Sequence, residues 1–596
     1  MRTNRKTEEK KMSMSKNIAR LAVTAGLTAA LSFGGVMAPV TMAFADGTPT
    51  VAPDGNVNID EKTYTDTTFK GIQIFKAKVT QNYDGSAWSG DKILSDIDWA
   101  SPDVMNVVTA AFAGVTGAPD ANAGAQAWAK YIKDNAGDNV GQTAKVDAGS
   151  TLDKIAAALE GSALTWTNPG DSSKGDFKAL NTGYWLFVTA NVGSTTSSDS
   201  ANGNTDAYTS PIFTVVGGED VKAEPKKDVP NVTKAVKDDK NGKFVTDNSK
   251  DVFSAPNKSA DSASEQPIDY QLAGTVASNI NTYTKYSYAF TDELPSTMVP
   301  VCDENGKPVV KVKIGDTVVA DSCYTVNYPS EESNNKLTVS FDNLKEVKNQ
   351  VGEPIVVGGN SKVYVNYQAK LVASKINENI LGKAQTNTVK LTYSNNPHTD
   401  GTGTTVTHPA YDYTYGIDVT KVGSDKDETG KHKTLEGVQF TLQEKDSSEF
   451  IKADGTTTST KDNAILTTDS NGKINVVGLD EGTYILKEVK PAPGYNNSAA
   501  SGVTFTISRT LNQDGTDVTS DTTSAIVAGE DVIQQNSAKA EVGKLSFTIV
   551  DQKGSGLPLT GLNGVTFTWI AGGAVLCIGV AHLIRSRKQA EESEQE

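Results

Sequence analysis

Two charged side chains stand where apolar ones are expected. In Thr483–Val489, strand alternation puts Tyr484, Leu486 and Glu488 on one face. In Gly416–Val422 it puts Ile417, Val419 and Lys421 on one face. One strand thus sends a carboxylate inward and another sends an amine. A dry core tolerates neither charge unless it is paired or neutralised by a shifted pKa. Burial favours the uncharged amine, which is a nucleophile, and the protonated acid, which can polarise a carbonyl. A second set lies earlier in the chain. Asn387 is in phase with Val389, Leu391 and Tyr393, and Asp292 shares a face with Tyr286, Tyr288 and Phe290. Asp269, the other acid nearby, is out of phase with Ile268, Tyr270 and Leu272 and is expected to face outward.

The elements that carry these residues are mostly strands. Alternating runs occur at Thr68–Val79, Asn181–Asn191, Ile212–Val216, Ile268–Val276, Lys336–Phe341, Lys362–Leu371, Thr386–Tyr393, Val438–Leu442 and Lys544–Val550. Helical spacing is confined to Asp103–Ala113, Ala125–Asn135 and Leu152–Leu159. The 596 residues, 52 of them Gly and 37% hydrophobic, suit several turn-rich β domains better than an α/β enzyme with one large core. A net charge of -16 argues against nucleic acid as a partner. Four His and three Cys show no metal-ligand spacing, so neither a metal nor another cofactor is expected. No Ser/His/Asp or paired-carboxylate motif marks an extracellular hydrolase.

The ends speak for export. A basic stretch, the apolar run Leu21–Val40 and Ala43-Phe44-Ala45 form a secretory signal over residues 1–45. Val565–Ile584 carries no charge and is long enough, at about 30 Å as a helix, to cross a membrane. Arg585, Arg587 and Lys588 follow it and place that end in the cytoplasm. Just before the span stands Leu557-Pro558-Leu559-Thr560-Gly561. Pentapeptide, span and basic tail together resemble the cell-wall sorting signal of Gram-positive surface proteins. The resemblance implies that a sortase cleaves between Thr560 and Gly561 and passes Thr560 to an amine. Both cuts together remove ten basic and six acidic residues, and the exposed body is left with a net charge of -20.

The body itself resembles sortase-assembled backbone pilins of Gram-positive bacteria. Tyr484-Ile485-Leu486-Lys487-Glu488, followed by Pro493-Gly494-Tyr495, is similar to the "E-box" of their collagen-adhesin B-type (CnaB-like) domains. The resemblance implies that Lys421 and Asp551 join in an isopeptide bond while Glu488 shuttles the proton; Asp551 stands where the family usually has Asn. By the A-type (CnaA-like) pattern, Lys234 in Val232–Val236 would join Asn387, with Asp292 as the acid. Lys226 matches the lysine that accepts the next subunit's threonine, with Glu224 in place of the usual Tyr; Lys227 and Lys222 are the fallbacks. In an exported chain, Cys302 and Cys323 are expected to pair as a disulfide.

The expected fold is therefore mainly β: tandem Ig-like sandwiches, the first with helical insertions, between a signal peptide and a transmembrane sorting helix. The divisions are 1–45 signal, 46–224 first domain, 225–230 linker, 231–410 CnaA-like domain, 411–552 CnaB-like domain, 553–561 sorting motif, 562–588 span and basic stop, and 589–596 tail. The implied function is the backbone of a wall-anchored fimbrium supporting adhesion. The implied partners are pilus-specific and housekeeping sortases, further pilin copies, peptidoglycan and host surface ligands. A monomeric wall-anchored adhesin, or a tip or base pilin, is the alternative.

Overall fold

In the computed structural model the described residues are 32–33, 48–136, 146–170, 174–193, 203–237, 258–328, 335–511, 518–520, 533–534 and 543–554. The pentapeptide Leu557–Gly561 and the expected span lie outside them, as does the expected signal apart from 32–33. No helix among the described residues is long and apolar enough to cross a membrane. The chain is mainly β, built as successive bodies of packed sheets with separate apolar cores.

The first body holds an antiparallel meander. Trp88–Trp99 (β2) pairs with Thr68–Tyr83 (β1), which pairs with Gly183–Asn191 (β3), which pairs with Ile212–Val216 (β4). Three helices, Pro102–Ala110 (α1), Ala125–Asn135 (α2) and Thr151–Glu160 (α3), are inserted between β2 and β3. Ser101 and Ser150 cap α1 and α3 by accepting backbone N–H groups of the first turn, the usual way to satisfy those donors. The helices cover one sheet face with Val108, Trp128, Ile132, Ile155 and Leu159. Trp88–Trp99 is the strand of this meander that alternation does not reveal, because Gly90-Asp91-Lys92 interrupts its apolar pattern.

The second body is a sandwich. One sheet runs Val232–Lys237 (β5), Ile268–Thr275 (β6), Lys362–Leu371 (β9), with Val310–Ile314 beyond. The facing sheet runs His408–Tyr413 (β11), Gln385–Ser394 (β10), Tyr288–Glu293 (β7), Lys336–Phe341 (β8). In the third body, Tyr415–Lys426 (β12) lies parallel to Lys544–Asp551 (β17) and antiparallel to Lys473–Leu479 (β14). The facing sheet there contains Gln439–Glu444 (β13), Gly482–Lys490 (β15) and Val503–Ile507 (β16).

Polar contacts knit the bodies together. Between the first and second, Tyr393 donates to the carbonyl of Thr205, and Asn395 Nδ2 donates to that of Asp206 at 3.1 Å. His398 sits between Glu160, which its Nδ1 meets, and Asp153, 2.8 Å from Nε2. Burial alone would push the imidazole down. The two carboxylates outweigh it and raise His398 to about 9. A group raised from 6.5 contributes its full stability below pH 6.5 and loses it as pH climbs through about 9. The clamp is worth about 3 kcal/mol on that shift. His398→Gln is therefore expected to lower the thermal midpoint strongly at pH 6 and hardly at pH 10. An equal loss at both values would remove the charge from this account.

Candidate functional site

Lys421, Glu488 and Asp551 meet in the third body with side chains fully excluded from solvent. The register explains how. Lys421 on β12 lies beside Ile549 on β17, so Asp551, two residues on, points to the same face of the same sheet. Glu488 enters from β15 in the facing sheet, in phase with Tyr484 and Leu486. Lys421 Nζ is 2.9 Å from Glu488 Oε2 and also contacts Asp551 Oδ1. The amine lies 5.7 Å from the Phe440 ring centre. Ser498 donates to Asp551 Oδ1 from its hydroxyl at 2.5 Å and its backbone N–H at 3.2 Å. Burial, helped by the adjoining Asp551 and opposed by Lys421, raises Glu488 to about 7. Glu488 Oε1 and Asp551 Oδ2 have no hydrogen-bond partner among the described residues. One amine, one poised acid and one carboxyl carbon thus share a dry site, which is the set of groups amide formation needs.

The second body holds a related cluster in a different frame. Lys234 on β5 contacts Asp292 Oδ2, and both are fully buried. Asp292 on β7 and Asn387 on β10 come from the facing sheet, where Asp292 lies opposite Val389 and Asn387 is two residues along. Burial lowers Lys234 to about 8 although Asp292 pulls the other way, and burial raises Asp292 despite Lys234. Lys258, 3.1 Å from the Lys234 carbonyl and itself lowered to about 8 by burial, adds a like charge nearby. Asp269 is half-buried on the outer face and accepts from Gln368 at 2.9 Å, so it lies outside the cluster.

Two members of these clusters are not read from the sequence. Ser498 carries no pattern that marks it. Tyr367 on β9 is in phase with Val363 and Val365 and reads as an ordinary core aromatic. Its hydroxyl is 3.0 Å from Lys234 Nζ, 2.9 Å from Asp292 Oδ2 and 2.9 Å from Asn387 Nδ2.

The linker lysines differ sharply. Lys227 is buried between Glu61 Oε2, at 2.6 Å, and Asp206 Oδ2, which also accepts from Thr67 at 2.5 Å. Lys226 is half-buried. Its backbone N–H donates to Thr209 Oγ1 at 2.8 Å, its carbonyl accepts from Ser210 at 2.9 Å, and burial lowers its amine. Lys222 is exposed on the strand Val221–Ala223, and Glu224 accepts from Lys62 at 2.7 Å.

The expected disulfide is not formed: Cys302 and Cys323 are free thiols. Cys302 bridges to Pro308 with its Sγ 3.5 Å from the Pro300 carbonyl. Cys323 lies in the short turn Asp321–Cys323 and accepts from the Lys348 N–H at 3.3 Å. Export chemistry permits a disulfide, but here the two thiols face different neighbours.

Residues 420–523 match the SpaA prealbumin-like fold domain. No curated protein matches the chain. Among solved structures, the full-length major pilin SpaD from Corynebacterium diphtheriae is similar over 84% of this chain and 98% of its own, at 17% identity and a TM-score of 0.42. The T6 backbone pilin of serotype M6 Streptococcus pyogenes is similar over 85% of this chain and 100% of its own, at 14% identity and a TM-score of 0.46. The full-length major pilin RrgB from Streptococcus pneumoniae is similar over 66% of this chain and 88% of its own, at 12% identity and a TM-score of 0.36.

Proposed function

We propose that the chain is the structural backbone subunit of a covalent surface fibre, a fimbrium anchored in the cell wall and supporting adhesion. The observation that carries this reading is the buried Lys421–Glu488–Asp551 cluster, in which Lys421 and Asp551 stand on the strands that open and close the last body, the latter a few residues before Leu557–Gly561. Sortase cleaves after Thr560, and the resulting acyl group is taken by Lys226 of the next copy. Lys226 is taken as the acceptor because it stands at the position of the pilin lysine, and the ion pairs of Lys227 with Glu61 and Asp206 hold the linker backbone in place beside it. Housekeeping sortase and peptidoglycan then take the finished fibre.

Within each subunit, two bonds form without an external enzyme. Lys421 Nζ attacks Asp551 Cγ and water leaves; Lys234 Nζ attacks Asn387 Cγ and ammonia leaves. Proximity in a dry core supplies a high effective concentration. The mature chain is then about 35 Da lighter than its sequence, about 18 from the first bond and about 17 from the second.

Cells boiled in detergent and blotted for the chain should give a ladder of high-mass species. Lys226→Ala should collapse it to one wall-linked band. A single band already in the unaltered strain would favour the monomeric adhesin or minor pilin. A ladder that persists in Lys226→Ala would move the acceptor elsewhere.

A further inference from the structure

The Tyr367 hydroxyl touches both nitrogens between which the second-body reaction must move a proton: the attacking Lys234 Nζ and the departing Asn387 Nδ2. It also touches the acid, Asp292 Oδ2. A phenol has one proton and two lone pairs. An ammonium and an amide NH2 are donors only, so the Tyr367 oxygen accepts from both and uses both lone pairs. Its one proton then has a single acceptor, Asp292 Oδ2. The hydroxyl is buried and saturated, and stacking on Tyr270 (ring centres 5.4 Å apart, 14° between planes) holds the ring still.

We propose that Tyr367 is a catalytic residue of the Lys234–Asn387 reaction, relaying the proton from Asp292 to the departing amide nitrogen. This rests on the crosslink proposed above. The steps balance as follows. Lys234 passes one proton to Asp292, leaving a neutral amine and a carboxylic acid. The amine lone pair attacks Asn387 Cγ, forming the new C–N bond and a tetrahedral oxyanion. Tyr367 gives its proton to Nδ2 and takes the one on Asp292. The Cγ–Nδ2 bond breaks, ammonia leaves, and the carbonyl re-forms. Asp292 takes the second proton from Nζ, which leaves a neutral amide and a protonated Asp292.

Geometry supports the relay over direct transfer by Asp292. Asn387 Nδ2 donates to Tyr367, and the Tyr270 hydroxyl also lies within hydrogen-bond reach of the Asn387 side chain, while Asp292 Oδ1 has no partner among the described residues. Burial also holds the phenol well above its ordinary pKa, so it is fully protonated when needed. The third body has no such need. There the leaving group is the oxygen of Asp551, and Glu488 lies next to it.

The test uses the full mature chain made by cell-free synthesis, quenched in acid at intervals and weighed intact. Tyr367→Phe keeps the ring and its stacking. The 17 Da loss is expected to slow roughly a hundredfold, the range of one general acid. The 18 Da loss in the same molecules reports that the third body has folded, and a 17 Da loss that is slow but reaches completion reports the same of the second. A 17 Da loss at the unaltered rate overturns the relay. No 17 Da loss in the unaltered chain overturns the crosslink itself, a distinct result. A second chain carries 3,5-difluorotyrosine at position 367, which keeps the hydroxyl but makes it more acidic. Its rate profile should fall away at lower pH than that of the unaltered chain; an unmoved profile counts against the proposal.

Discussion

A chain carrying Lys421→Ala is expected to keep the 18 Da that the proposed Lys421–Asp551 bond would remove, and its last body should unfold about 5 kcal/mol more easily. The loop between Lys421 and Asp551 spans 130 positions, and closing a loop of that length removes about 5 kcal/mol of denatured-state entropy in the disulfide model. The substitution also strands two carboxylates at zero exposure. The two cannot both stay charged there without the cation, so at least one takes up a proton. The sign of the pH dependence follows. Glu488, raised to about 7 even beside Lys421, binds its proton more tightly in the fold than unfolded. In the variant, stability is therefore highest below pH 4.5 and falls as pH rises through 7 and above. Calorimetry of the full chain at pH 4.5 and pH 8 measures this. A last transition that does not move in temperature between variant and parent would mean that no bond had formed. Glu488→Gln separates the two effects, because it blocks the bond without leaving a surplus charge.

Asp292→Asn should be as severe by a simpler route. The substitution preserves shape and hydrogen-bonding capacity but cannot accept the proton of Lys234. The 17 Da loss should disappear, the 18 Da loss should remain, and the second body should lose about 5 kcal/mol, because its loop of 153 positions stays open. The stranded amine costs less than stranded carboxylates. Burial already lowers Lys234 to about 8, so it gives up its proton near neutral pH. Lys234→Met removes amine and bond together and gives the comparison. If Asp292→Asn still weighs 35 Da less than its sequence, another group is the acid.

Alternation found the strands of Glu488, Asp292 and Asn387 because each buries every second residue, and an inward polar group in an apolar phase is visible at once; the strand of Lys234 is buried on both faces and shows no such phase. Glu488 and Asp292 were legible for that reason. Asp551 and Lys234 needed the family pattern, since they sit at strand positions that periodicity alone does not single out. Tyr367 was hidden because its aromatic ring satisfies the core rule while its hydroxyl does the polar work. Which sheet each group comes from was also illegible, since pairing between strands far apart in sequence leaves no local trace. The free thiols are a similar case: the compartment argument speaks to chemistry, and only the turns around Cys302 and Cys323 decide whether the sulfurs meet.

The sheet of origin has a consequence for how the bodies loosen. Lys234 and Asn387 stand on opposite layers, so their bond would rivet the second sandwich through its thickness and stop its sheets from separating. Lys421 and Asp551 stand on neighbouring strands of one layer, so their bond hems that layer and leaves the other attached by packing. Strands β13, β15 and β16 of the facing layer should then exchange their amide hydrogens before β12 and β17 do, whereas the two layers of the second body should open together. The fibre would be built of one module that gives way only as a whole and another with a face free to breathe.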